Sequence, residues 1–151
     1  MMELDDADKV LLRALMQDAR LSSKALGDWL GLSQPATWRR IQRLKEAGVI
    51  KGRKLELDRE KLGLGVTVFL GVKLATKGRV SLEDFERAVS AIPEVLSVEH
   101  VLGLYDYRLK VVARDIPDFE RVLRRRIMTL PGAGEVEANV LLSEERRPGP
   151  I

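Results

Sequence analysis

Residues 21–50 read LSSKALGDWLGLSQPATWRRIQRLKEAGVI. Two short helical patterns meet at Gly31-Leu32-Ser33. In the first, Leu26, Trp29 and Leu30 recur at helical spacing, and Ser22 or Ser23 can cap the N-terminus. In the second, Ser33 is the natural cap. Pro35 falls in the first turn, where a missing N–H removes no helical bond. Thr37, Ile41 and Leu44 form an i, i+4, i+7 stripe, and Gly48 comes after the last turn as a stop. Two short helices around a tight glycine-containing turn make a helix-turn-helix.

The outer face of the second helix carries the chemistry. Pro35, Trp38, Arg39, Gln42 and Arg43 point away from the apolar stripe, with Arg40 on the flank. Arg and Gln read guanine and adenine edges or grip phosphates. From Gln34 to Lys54 there are seven Lys/Arg against one acidic residue, whereas Met1 to Ser33 has four basic against six acidic. Positive charge is therefore focused on the second helix and the segment after it, the footprint of a nucleic-acid face. The candidate DNA contacts are Ser22, Ser33, Gln34, Pro35, Trp38, Arg39, Arg40, Gln42, Arg43 and Arg53. Gln42 can pair with an adenine edge. The Trp38 indole either packs on a thymine methyl or folds back over Trp29.

The remaining bounds are mostly exclusions. No run of about 18 apolar residues exists, so nothing in the sequence reads as a membrane span. MMELDDADK at the N-terminus is acidic and lacks the apolar region of a signal peptide. Cysteine is absent and His100 is the single histidine, which disfavours thiol chemistry, a histidine-based metal site and a catalytic triad. The expectation is a cytoplasmic protein whose work is binding, without cofactor or metal. Residues 1–60 carry 12 basic and 10 acidic side chains, residues 61–151 carry 14 and 13. Any DNA binding thus rests on the local cluster and not on a bulk field.

Outward from the motif, Asp5 can cap a first helix with Leu4, Leu11 and Leu15 as its buried stripe and acidic residues at the positive dipole end. After Gly48, Ile50, a Lys51-Gly52-Arg53-Lys54 turn and Leu55–Asp58 read as a β-wing with a basic tip. Residues 1–58 are then a winged helix-turn-helix, and REKLGLG at 59–65 is a hinge. Val66–Leu74 alternates cleanly. Ser81 opens a helix with Asp84 as a weak capping box and Leu82, Phe85, Val89 and Ile92 inward. Strands come next at Val95–Leu102 and Tyr105–Ala113, then a helix from Asp115-Pro117 with Phe119, Leu123, Ile127 and Leu130 inward, and a last strand at Val136–Leu142. Residues 66–143 therefore spell β-α-β-β-α-β, a ferredoxin-like sandwich, and the whole chain is α+β. The second sheet face reads as apolar enough to need a partner, so a dimer through the sheets is expected. The tail at 144–151, polar and rich in Pro and Gly, reads as frayed. Within the Gly103–Tyr107 turn, Gly103 permits unusual backbone geometry and exposed N–H groups, and Asp106 offers a charge for an ammonium group. The plainer alternative is a tight hairpin that Asp106 caps.

This order resembles the Lrp/AsnC family of prokaryotic transcription regulators. The matching residues are Leu4-Asp5, Asp8, Leu11-Leu12 and Leu15, then Leu30-Gly31-Leu32-Ser33, Arg39-Arg40-Ile41, Arg43-Leu44 and Gly48-Val49-Ile50. Gly103, Tyr105-Asp106-Tyr107 and Leu130-Pro131-Gly132 continue the match. The resemblance implies double-stranded DNA as partner, dimers that assemble further, often to octamers, and an amino acid or similar effector. It places that effector between dimers at Gly103, Leu104, Tyr105, Asp106 and Asn139. Leu104 stands where many members have Asp, and Ala138-Asn139 where members often carry Ser or Thr. Two other readings compete. One is an enzyme like the tetrapyrrole (sirohaem) decarboxylases of related architecture, with His100 near the loop. The other is a ligand-binding assembly module that no longer binds DNA.

Overall fold

The computed structural model describes residues 2–75 and 78–151. They form two compact units. One is the chain up to Glu56 together with Glu145–Ile151, and the other is Leu57–Glu144.

In the first unit, α1 (Asp6–Gln17), α2 (Ser23–Leu30) and α3 (Gln34–Glu46) surround a small core. Asp5 caps α1 in a full capping box. Its carboxylate accepts from the Asp8 N–H at 2.7 Å, and the Asp8 carboxylate accepts from the Asp5 N–H at 3.3 Å. Leu11, Leu26 and Leu44 have no exposed surface, and Leu12, Ala14 and Ile41 are nearly as deep. Each fully buried leucine contributes about 1.5–3 kcal/mol relative to exposure. The α2–α3 turn needs two glycines for different reasons. Gly31 sits at φ 67°, a left-handed position that other residues resist. Gly27 lies where α2 meets the next segment: a Cβ there would be 2.7 Å from the Leu32 carbonyl and 2.9 Å from Thr37 Oγ1.

Two expectations for this unit fail, and its C-terminal segment adds contacts of its own. Trp29 is 66% exposed and is no part of the apolar stripe, because Leu26 and Leu30 already close that face of α2. Residues 51–58 run without ladder pairing, so the wing does not close as a hairpin. Leu55 and Leu57 stay exposed and bring no apolar contact to hold one. The tail at 145–151 joins this unit: Pro150 and Ile151 line an apolar groove with Leu12, Leu15, Met16 and Ile50, and Arg13 donates to the Ile151 carbonyl at 2.9 Å.

In the second unit the elements are β1 (Val66–Leu74), α4 (Arg79–Ser90), β2 (Val95–His100), β3 (Tyr107–Ala113), α5 (Ile116–Val122) and β4 (Ala133–Val140). The α5 helix runs on into a π-turn at Leu123–Ile127. One antiparallel sheet has the order β2-β3-β1-β4, the ferredoxin-like arrangement. Val68, Leu70, Val72 and Leu74 alternate inward along β1 and meet Leu109, Val111, Phe85, Val89, Val122 and Ile127 in the core. Helix α4 starts two residues before Ser81, at a Gly78 cap that makes no side-chain bond, so the expected capping box is absent. The outer sheet face is mixed rather than apolar. It carries Thr67, Phe69, Gly71 and Lys73 from β1, Arg108, Lys110 and Val112 from β3, and Glu137 and Asn139 from β4.

Asp118 ties the start of α5 to the end of β3. Its carboxylate accepts from the Arg114 N–H at 3.1 Å, from the Arg114 guanidinium at 3.1 Å and from Arg121 at 2.5 Å. Those guanidiniums hold the Asp118 carboxyl well below its usual value. A depressed carboxyl adds stability that is complete above the unfolded value and fades as pH falls toward the folded one. Urea midpoints of the wild type should therefore fall between about pH 5 and pH 2 more steeply than those of Asp118→Asn. Parallel curves would show that Asp118 is not coupled to folding.

Candidate nucleic-acid interface and effector surface

Both helix N-termini of the motif are built by serine. The Ser22 Oγ accepts from the Ala25 N–H at 3.1 Å, and the Ser33 Oγ accepts from the Ala36 N–H at 3.3 Å. Each hydroxyl proton is left to be donated outward, which suits a phosphate at a helix N-terminus. Thr37, Ile41 and Leu44 turn inward as expected. Ser22, Ser33, Gln34, Pro35, Arg39 and Arg53 are exposed, Gln42 is half-buried, and Trp38 is 54% exposed. The indole is thus available to a groove and is not folded into the core.

Arg40 departs from the expected face. Its Nη1 donates to Asp5 Oδ2 at 2.7 Å and to Asp8 Oδ1 at 2.9 Å, and its side chain is 28% exposed. The pair draws the Asp5 carboxyl below its usual value. Arg40 therefore fastens α3 to the start of α1. Arg43 shares the anchor through Nη2, 2.5 Å from Asp8 Oδ2, but half of its side chain remains exposed. Asp8 is fully buried, although its sequence context presents it only as a dipole partner. Its place three residues after the Asp5 cap was the available signal.

On the second unit, Gly103, Leu104, Tyr105 and Asn139 line one concavity of about 210 Å³ with Phe69, Gly71, Val101, Tyr107 and Arg108. Its floor is Gly71. A Cβ there would lie 2.6 Å from the Tyr105 ring, so the strand must be bare where the ring crosses it. The Tyr105 hydroxyl donates to Glu137, which raises the phenol and lowers the Glu137 carboxyl. Asn139 Nδ2 reaches the other Glu137 oxygen at 3.4 Å. Arg108 is held by Glu99 at 2.8 Å.

Asp106 does not line this concavity. Its Oδ2 accepts from the Leu74 N–H at 2.8 Å, its own N–H donates to the Val72 carbonyl, and its carbonyl accepts from Val101. It clasps the hairpin to β1, and an ammonium-binding role for it is not what the geometry favours. Gly103 is also not at positive φ, and a Cβ there would meet nothing within 4 Å. Its own backbone does not require glycine. Sequence reasoning misses Gly71, Phe69, Arg108 and Glu137. A lone glycine at an outward position of a strand was the clue. His100 stacks on Tyr107 with ring centroids 4.9 Å apart. Among the described residues no group of His, Cys, Asp and Glu could hold a metal ion, and no helix is long and apolar enough to cross a membrane.

A helix-turn-helix joined to a ferredoxin-like sheet with a small concavity on its outer face defines a ligand-responsive DNA-binding regulator. The AsnC-type helix-turn-helix domain matches residues 4–45, and the Lrp/AsnC ligand binding domain matches residues 67–151. The chain belongs to the Lrp/AsnC family of transcriptional regulators. It is 33% identical over 144 residues to the transcriptional regulator AzlB of Bacillus subtilis, covering 95% of this chain and 92% of that one. It is 35% identical over 147 residues to a proline dehydrogenase transcriptional activator of Rhizobium radiobacter, covering 97% and 94%. A transcriptional regulator of Neisseria meningitidis in complex with L-Met superposes with a TM-score of 0.89 at 28% identity, covering 96% and 94%.

Gly27→Ala should destabilise the first unit by about 1–3 kcal/mol, because two backbone segments would have to part. Gly65→Ala, whose Cβ would meet its nearest neighbour at 3.6 Å, is the control. Equal thermal midpoints for the two variants would refute the close crossing.

Proposed function

We propose that this regulator reads DNA through Ser22, Ser33, Gln34, Pro35, Trp38, Arg39, Gln42, Arg43 and Arg53, with Arg40 as an anchor. It acts in the cytoplasm as a binder, without catalysis. The observation that carries the reading is the exposed side of α3, where Trp38 and Arg39 stand outward beside a half-exposed Arg43. Arg39→Ala should weaken binding to all duplexes and lower the log–log salt slope by about 1. Binding equal to wild type at every salt concentration would remove Arg39 from the interface.

The assembly is a homodimer that builds toward an octamer. Dimers present paired reading helices to half-sites about one helical turn apart. Light scattering on the full chain is the check, and a monomer at micromolar concentration would end this part of the reading.

The effector is an amino acid with an apolar or uncharged side chain. Phe69, Val101 and Leu104 give the concavity an apolar lining, while Arg108, shared with Glu99, and Asn139 are the polar lining groups that could meet a carboxylate. The L-Met complex of the Neisseria regulator supports this class. The concavity is small, and a second subunit would complete it. A thermal-shift screen of the twenty amino acids should show the largest rise with methionine or a branched apolar residue. Leu104→Asp should shift the preference toward lysine or arginine. A screen with no rise in either protein would leave the family's effector role without support in this chain.

A further inference from the structure

We propose that Asp8 is a positioning residue for DNA recognition, a carboxylate sealed beneath the reading helix that aims Arg43 at the duplex. The proposal rests on the reading that α3 meets DNA through Arg43.

Asp8 has no exposed surface, yet it carries three hydrogen bonds. The Asp5 N–H reaches it at 3.3 Å, Arg40 Nη1 at 2.9 Å and Arg43 Nη2 at 2.5 Å. A buried carboxylate survives only with such compensation. Its two arginine partners are not alike. Arg40 bridges Asp5 and Asp8 from one nitrogen and is mostly covered. Arg43 touches Asp8 from one nitrogen, and half of its side chain stays open to solvent, where a duplex can reach it.

A guanidinium is a planar fork of five N–H donors. With one corner held on a buried oxygen, the plane and the outer edge are fixed before DNA arrives. The edge that remains outside meets a phosphate or a base edge already oriented, so less freedom is lost on binding. The same carboxylate cancels charge inside the unit and leaves the net positive charge at the surface.

The test is a double-mutant cycle read by fluorescence anisotropy. The probes are a duplex selected by the wild-type protein from a random-sequence library and an unselected duplex. Arg43→Ala should weaken binding and lower the salt slope by about 1. Asp8→Asn should weaken binding to the selected duplex by about tenfold in the wild-type background and not at all beside Arg43→Ala. Additive losses would make Asp8 merely structural and overturn the proposal while leaving Arg43 as a DNA contact. Unchanged binding by Arg43→Ala would overturn the DNA-facing reading of Arg43 itself, and the proposal with it. If Asp8→Asn does not fold, Arg43→Lys answers the same question. An ammonium held on Asp8 has no second edge to offer DNA, so affinity should fall about tenfold and the salt slope by about 1, as in Arg43→Ala. Wild-type affinity in Arg43→Lys would overturn the proposal.

Discussion

The alternation of β1 carries two surfaces at once. Val68, Leu70, Val72 and Leu74 supply the centre of the core, while Phe69 and Gly71 line the concavity on the other face. Because side chains change face at every residue, a slip of one position would bury Phe69 and expose Leu70. The strand is paired on both sides, with Leu70 opposite Leu109 and Ala138. The Asp106 clasp then holds the Gly103–Tyr107 loop to the same strand through Leu74 and Val72. Core, sheet register and loop position therefore share one determinant.

The helical unit solves a different problem. Its core is small, and part of its cohesion is ionic. Asp5 and Asp8 sit at the N-terminus of α1, where the helix dipole favours negative charge, and two arginines of α3 lean onto them. Positive charge that would repel itself along α3 is thereby partly neutralised on the inner side. What faces outward is a reduced but oriented set.

The regular parts were legible in the sequence because periodicity states burial directly. Val66–Leu74 lies where the alternation placed it, and Asp5, Ser22, Ser33 and Asp115 cap the helices their chemistry suggested. What was illegible depended on partners distant in sequence. Arg40 looks like any basic side chain until Asp5 and Asp8, more than thirty positions earlier, are found beneath it. Trp29 fits a helical stripe by spacing, but its neighbours already close the core. The segment at 51–58 alternates like a strand and finds no ladder, since alternation alone supplies no partner. Ile151 packs into an apolar groove through contacts that no local pattern encodes. At the concavity, the loop residues were readable, and for Asp106 the sequence left two roles open because a carboxylate can serve a backbone N–H as well as a ligand.

The aromatic residues are divided between the two units. Both tryptophans of the chain, Trp29 and Trp38, stand exposed on the helical unit, and both tyrosines, Tyr105 and Tyr107, lie on the sheet unit beside its concavity. Indole absorption overlaps that of the phenols and exceeds it, but light at the red edge of the indole band excites the tryptophans alone. Their emission then follows the helical unit without a label while the sheet unit is titrated.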